Sequence, residues 1–259
     1  MDTATIKKTS QRLHECLRQR TTMAPLTEEF SDISIDDAYQ ISRGFLALRQ
    51  QDGEKIVGKK IGVTSAPVQE ALGVYQPDFG FLTDAMLVKD GKVNTSELIA
   101  PRAEAEIAFR LKEGLRGPGI TPEDVLQATE AVIPCFEIVD SRIKDWKIKI
   151  QDTIADNASC GVFVLGDEEA DPADLDLPSL RVEVHRNGSF LSEGVASSVQ
   201  GAPQNALAWL ANTLGEYGIP FEAGELVLSG SLVPLEPAVA GDLFTMNIAG
   251  LGGAQVRFV

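Results

Sequence analysis

The stretch "PRAEAEIAFRL", Pro101 to Leu111, decides how the rest of the chain is read. Its pattern is that of a half-buried strand, yet two glutamates, Glu104 and Glu106, sit one residue apart. Successive side chains on a strand point to opposite faces, so these two share a face. Side by side, like charges repel, and neither ladder pairing nor core burial calls for them. A third acid, Glu137, lies in "IPCFEIVDSR", a second strand with apolar flanks, where Pro134 predicts an irregular or edge position. Three carboxylates from two strands make a hard, all-oxygen ligand set that suits Mg²⁺ or Mn²⁺ far better than zinc. Such an ion removes the repulsion. The alternative is a solvated face on which the glutamates only keep an antiparallel sheet soluble, and the residues alone leave both open.

Working outward, strand composition dominates from about residue 95: "EAEIAFRL", "EAVIPCFEIVDS", "GVFVLG", "LRVEVHRNG", "GELVLSG", "DLFTMNIAG" and "GAQVRFV". One helix, "PQNALAWLANTLGEYG", interrupts them, and "GLRGPGITPEDV" and "LGDEEADPADLDLPS" are expected loops. Before residue 90 the pattern is mostly helical. Helices are predicted over 3–20, over 34–52 with a Ser34–Asp37 capping box, and over 66–72 between Ser65 and Gly73. The strand-like "KIVGKKIGVTS" precedes that third helix, and the expected loop "YQPDFGFLTDAM" follows it. The predicted class is α+β, with a helical N-terminal region over 1–90 and a β-rich catalytic domain over 91–259.

Composition narrows the function. The net charge of −15 argues against nucleic-acid or anionic-membrane partners, which need a basic footprint. An anionic substrate therefore has to be drawn in by a local positive centre. The N-terminus has no apolar signal core and no stretch is long enough to span a membrane, so a cytoplasmic protein is expected. Three widely spaced cysteines form no zinc pattern. The two histidines, His14 and His185, sit in no motif, which leaves little room for a Ser-His-Asp triad or a histidine zinc site.

In "IVGKKIGV", Lys60 shares a strand face with Gly58 and Gly62, which leaves open volume beside the ammonium. Such a lysine can bind a carboxylate or, if partly desolvated, exchange a proton. Asp78, between a proline and an aromatic in "QPDFG", is a candidate proton donor. A solvated Lys-Lys pair and a turn-forming Asp are the alternatives.

Taken together, "GKKIGVTS", "GVYQPDFGFLTDAM", "PRAEAEIAF", "VIPCFEIVDSRIKDWKIKIQDTIADNAS" and "LSGSLVPLEP" resemble the 2-hydroxypenta-2,4-dienoate (2-oxopent-4-enoate) hydratases. These belong to the fumarylacetoacetate hydrolase superfamily and act in meta-cleavage degradation of aromatic compounds. The resemblance implies a mixed β-rich roll of the fumarylacetoacetase C-terminal type behind a smaller helical region. It also implies one Mg²⁺ or Mn²⁺ on Glu104, Glu106 and Glu137, with Lys60 and Asp78 as acid/base or substrate-orienting groups. Ser159 and the segment Ser229, Gly230, Ser231 and Leu232 become candidates for holding a substrate carboxylate through hydroxyl and backbone N–H groups. The chain departs from many hydrolases of the superfamily, which carry a lysine where this one reads "IADNAS".

The implied substrate is a small 2-hydroxy-dienoate or its 2-oxo tautomer, hydrated to a 4-hydroxy-2-oxo acid. A homo-oligomer is implied, a decamer being one size it can take, as is a complex with a pathway decarboxylase or aldolase. The alternatives are a metal-dependent 4-oxalocrotonate decarboxylase, which shares the Lys60 arrangement, and a non-catalytic partner subunit.

Overall fold

In the computed structural model, which describes residues 1–259 apart from the side chains of 71 and 72, three helices open the chain. They are α1 (Thr3–Gln19), α2 (Leu26–Glu29) and α3 (Ile35–Gln51). The predicted capping box of α3 is present: Asp37 N donates to Ser34 Oγ at 3.1 Å, and Ser34 N donates to Asp37 Oδ2 at 3.0 Å. Two N–H groups that a helix start leaves without partners are thereby satisfied. Gly44 lets α1 and α3 pack closely, since a Cβ there would lie 2.4 Å from Ser10 Oγ. That hydroxyl donates across the helix pair to Ile41 O at 2.9 Å. No described helix is long and apolar enough to cross a membrane.

The strands follow as β1 (Ile56–Gly62), β2 (Asp78–Thr83), β3 (Lys92–Val93), β4 (Arg102–Leu111), β5 (Thr129–Val139) and β6 (Cys160–Leu165), then β7 (Arg181–Arg186), β8 (Ser189–Val195), β9 (Leu226–Leu228), β10 (Glu236–Pro237), β11 (Leu243–Ile248) and β12 (Gly252–Phe258). Four helices lie between them: α4 (Ala66–Leu72), α5 (Pro122–Ala128), α6 (Ile150–Ala155) and α7 (Pro203–Glu216). Among the described residues one sheet runs β2-β1-β9-β4-β5-β6 with β10 also on β4, and a second runs β3-β12-β11-β7-β8. The fold is α+β. β1 and β2 precede residue 90 yet belong to the same sheet as β4 and β9, so the helical region and the β-rich region are joined by backbone hydrogen bonds across that point.

The larger sheet curls. β1 and β5 are three strand spacings apart, about 14 Å in a flat sheet, but Lys60 of β1 and Glu137 of β5 meet at 3.1 Å. The ends of the curl are tied where Val88 N, just past β2, donates to Phe163 O of β6 at 2.9 Å. The two faces then carry different residues. Ala103, Ala105, Ile107 and Phe109 of β4 face the main core. There Phe136 of β5 packs edge-on against Phe244 of β11, with ring centroids 6.4 Å apart. Inside the curl is a smaller apolar plug of Leu82, Met86, Ala108, Ile133, Cys135, Cys160, Phe163 and Leu228.

Several elements differ from the sequence expectations. The segment expected as a loop around Asp78 contains β2, buried at all six positions. A strand covered on both faces has no polar/apolar alternation to show. Pro134 lies in an internal strand, not at an edge. It is tolerated because the β6 ladder ends beside it, where its carbonyl accepts from Gly166 N at 2.7 Å. α5 was hidden in an expected loop although its start carries a full capping box, Thr121 with Asp124, and Pro122 in the first turn.

The connection from β5 to β6 is stapled by Arg142, which is completely buried. Its guanidinium donates to Asp156 Oδ1 (2.5 Å), Asp156 O (2.5 Å), Asp140 O (2.5 Å) and Cys160 O (3.1 Å). Removing one partner of a buried pair strands the other charge, at a cost of about 3–5 kcal/mol. Arg142→Ala should therefore lower the urea-unfolding free energy by that amount. A loss below about 1 kcal/mol would show that the staple is dispensable.

Candidate active site

β4 and β5 pair antiparallel with Glu104 directly opposite Glu137 and Glu106 opposite Cys135. Glu104 and Glu106 share a face by strand alternation, and opposed residues share it too, so all three glutamates point into the curl above the apolar plug. One carboxylate oxygen from each lies within 4.8 Å of the other two. Glu106 and Glu137 are buried, while Glu104 is half-buried and gives the cluster its contact with solvent. Both Glu137 oxygens are buried without a hydrogen-bond partner. Lys60 Nζ lies at ion-pair distance from one of them, 3.1 Å, but outside hydrogen-bonding alignment. Glu106 Oε2 accepts from Gly230 N at 2.9 Å.

The electrostatics follow from burial. Desolvation raises the Glu104 carboxyl to about 7, with the charge of Glu137 adding to it and Lys60 opposing. Glu106 is pushed well above the ordinary carboxylate range by burial, then by Glu137 and Glu104. Burial alone would lower the Lys60 ammonium, but Glu137 and Asp78 outweigh it and hold the lysine protonated. Asp78, also buried, is raised by desolvation against the opposing charge of Lys60, and neither of its oxygens has a hydrogen-bond partner.

The glycines beside Lys60 have a different purpose from the open volume expected of them. A Cβ at Gly58 would lie 1.8 Å from Leu226 O, so this glycine admits the backbone of the parallel neighbour β9. A Cβ at Gly62 would lie 2.4 Å from Asp78 Oδ1 and 3.4 Å from Lys60 Nζ. Gly62 is thus the gap through which the Asp78 carboxylate approaches the lysine. The adjacent Lys59 points away and is tied to Glu225 and, at 3.0 Å, to Pro220 O. It lines an open cleft of about 530 Å³ with Ile56, Val57 and Phe81, on the other side of β1 from the carboxylates.

The remaining candidates divide. Gly230 reaches Glu106, and its φ of +101° with Thr64 Oγ1 only 2.5 Å from a would-be Cβ leaves room for no other residue. Ser229 is fully buried with an unpartnered hydroxyl. Ser231 Oγ donates to Val233 O at 2.7 Å, and Leu232 packs its side chain into the main core. Ser159 is buried 3.4 Å from both Thr153 Oγ1 and Asp156 Oδ2. Thr64 beside Gly230, and the Asn157 side chain bonded to Phe81, act through contacts between distant segments, which no local pattern marks.

A family model described as fumarylacetoacetate (FAA) hydrolase C-terminal matches residues 64–259. The chain belongs to the fumarylacetoacetate hydrolase family. Within it, the chain is 59% identical over 256 residues to a 2-hydroxyhexa-2,4-dienoate hydratase of Comamonas testosteroni, covering 98% of this chain and 97% of that one. It is 56% identical over 221 residues to a 2-hydroxypent-2,4-dienoate hydratase of Pseudomonas putida, covering 85% and 100%. Among solved structures, a 4-oxalocrotonate decarboxylase from Pseudomonas putida G7, complexed with magnesium and adipate, superposes with a TM-score of 0.97 at 33% identity. That match covers 100% of this chain and 99% of the other.

A fumarylacetoacetate hydrolase fold with three inward carboxylates meets the chemical demands of a hard dication: oxygen donors only, and buried lone pairs without partners. Because Glu104 holds a proton below about pH 7 in the metal-free protein, an arriving cation must displace it. Mn²⁺ affinity measured by titration should therefore weaken as pH falls from 8 to 6, by up to about tenfold per unit for each proton the ion displaces. Affinity that is flat across this range would contradict the assignment.

Proposed function

We propose that the chain is a metal-dependent hydro-lyase that adds water to 2-hydroxypenta-2,4-dienoate to give 4-hydroxy-2-oxopentanoate, in meta-cleavage degradation of aromatic compounds. One observation carries the site assignment: three inward carboxylates face a single buried ammonium and a buried, unpartnered aspartate in one curled sheet. Glu104, Glu106 and Glu137 would hold the ion, Mg²⁺ or Mn²⁺. When bound, it supplies Lewis-acid stabilisation of the negative charge that develops on the substrate's C2 oxygen.

The chain's own residues handle the protons. Ketonisation moves the enol proton's equivalent to C5, the far end of the diene, and water then adds at C4. Asp78, whose hold on a proton burial strengthens against the opposing charge of Lys60, is the group placed to exchange one inside the curl. Lys60, kept charged by Glu137 and Asp78, is a fixed cation beside it. The pair serves as the proton-transfer and water-positioning apparatus. The low polarity of the plug formed by Leu82, Ile133 and Phe163 keeps bulk water from the floor of the site.

The second reading is a 4-oxalocrotonate decarboxylase, favoured by the close structural match to such an enzyme. Its substrate carries a second carboxylate, which calls for a second cation in the site. Among the described residues the buried cations are Arg49, Lys59, Lys60 and Arg142. Arg49 pairs with Glu54, Lys59 with Glu225 and Arg142 with Asp156, which leaves Lys60 as the one facing the glutamates. That census and the relatives at 56–59% identity support the hydratase. Assembly as a homo-oligomer belongs to the same proposal, and the 97% exposed ring of Tyr75 offers an apolar contact for it.

With Mn²⁺ present, the protein should convert 2-hydroxypenta-2,4-dienoate to a 4-hydroxy-2-oxo acid, followed as loss of dienol absorbance, and should release no CO₂ from 4-oxalocrotonate. CO₂ release without hydration would select the decarboxylase. Lys60→Ala should cut kcat by about 10²–10⁴-fold, the range for a positioned acid/base group, while Mn²⁺ binding is retained or tightened, since the ammonium competes for Glu137. Wild-type turnover in that variant would remove Lys60 from the chemistry.

A further inference from the structure

Between α6 and β6 the backbone enters the left-handed region at three consecutive non-glycine residues, Asn157 (φ 56°), Ala158 (φ 50°) and Ser159 (φ 53°). Each such residue costs on the order of 1–2 kcal/mol, and runs of them are rare. Something must hold the turn. On both flanks it is Arg142, bonded to Asp156 and to Cys160 O. In the middle it is the Asn157 side chain, which accepts from Phe81 N at 2.8 Å and donates to Phe81 O at 2.9 Å.

This pairing has a topological meaning. β2 is the last strand of the curled sheet among the described residues, so β1 satisfies one of its edges and no described strand pairs with the other. The Asn157 amide supplies that edge with one acceptor and one donor, as a neighbouring strand does. The contact is tight: a Cβ at Gly80 would lie 2.5 Å from Asn157 O and 3.2 Å from Asn157 Oδ1. Gly80 is the direct partner of Lys60 across the β1–β2 ladder, and Asp78 lies two residues along the same face of β2. The far side of the turn carries Ser159 and leads into Cys160 of the interior plug.

We propose that Asn157 is a positioning residue for the reaction. Its amide docks the left-handed turn onto β2, and so fixes the wall that carries Asp78 and Gly80 against the wall that carries Ser159. The glutamates stand on β4 and β5 and do not depend on this contact. The role rests on the hydratase reading, because it concerns the geometry of the groups assigned to that reaction.

The test separates the amide from the backbone conformation. Asn157→Gly permits a positive φ without strain and deletes only the side-chain clamp. We expect this variant to fold, by circular dichroism, and to bind Mn²⁺ within about twofold of wild type. Its kcat on 2-hydroxypenta-2,4-dienoate should fall by about 100-fold, the scale set by a misplacement of about 1 Å, with KM changed less than kcat. Asn157→Asp keeps the acceptor for Phe81 N–H and loses the donor, so its kcat should lie below wild type, with Mn²⁺ affinity again retained. Wild-type kcat in folded Asn157→Gly would overturn the proposal, since the asparagine would then be needed only for its backbone conformation. Failure of both variants to fold would overturn it too, by making Asn157 a requirement of the whole fold. A wild-type control that binds Mn²⁺ but does not turn over the dienoate would reject the hydratase reading instead. In that event, unchanged amide exchange at Phe81 in Asn157→Gly would count against the clamp, and faster exchange would count for it.

Discussion

Three carboxylates held on one inner face by a two-strand ladder set the constraint around which this molecule is built. Neither Glu104 nor Glu106 can move away from the other without leaving the strand, and Glu137 is fixed opposite Glu104 by register. Burial makes the repulsion expensive, because little water remains to screen it. Two features offset the repulsion: Lys60 lies at ion-pair distance from Glu137, and burial raises the Glu104 and Glu106 carboxyls above the range of exposed ones. Even so, both oxygens of Glu137 are buried without a hydrogen-bond partner.

The rest of the fold brings Lys60 to that cluster. A flat sheet could not do so, and the curl depends on glycines whose missing side chains admit neighbouring atoms: Gly58 the carbonyl of Leu226, Gly62 the carboxylate of Asp78, Gly80 the carbonyl of Asn157. All three lie on the face of β1 and β2 that carries Lys60. The second sheet and the helices cover the outer face, so the large apolar core supports the site from behind without entering it. The small inner plug sets its floor.

Much of this was legible in the sequence, for identifiable reasons. Strand alternation put Glu104 and Glu106 on one face, and the helix caps at Ser34 and Gly73 were local signals that local structure obeyed. What was not legible depended on contacts between distant segments. β2 was hidden because burial on both faces erases alternation. Pro134 pointed to an edge because the end of β6 beside it cannot be seen from β5 alone. Gly58 and Gly62 were seen as special, but for the wrong reason, since the atoms that fill their places come from elsewhere in the chain. Asn157 and Arg142 lie in stretches that carry the family resemblance, but what they do follows from the three left-handed residues they hold, which the sequence does not show.

The most direct measurement is anomalous diffraction from crystals grown with Mn²⁺. A single strong peak within coordination distance of carboxylate oxygens from Glu104, Glu106 and Glu137, with Lys60 Nζ displaced from Glu137, is the expected result. Diffraction that shows no manganese among these three side chains, or shows it bound elsewhere in an active protein, would contradict the dication as the reason they are buried together.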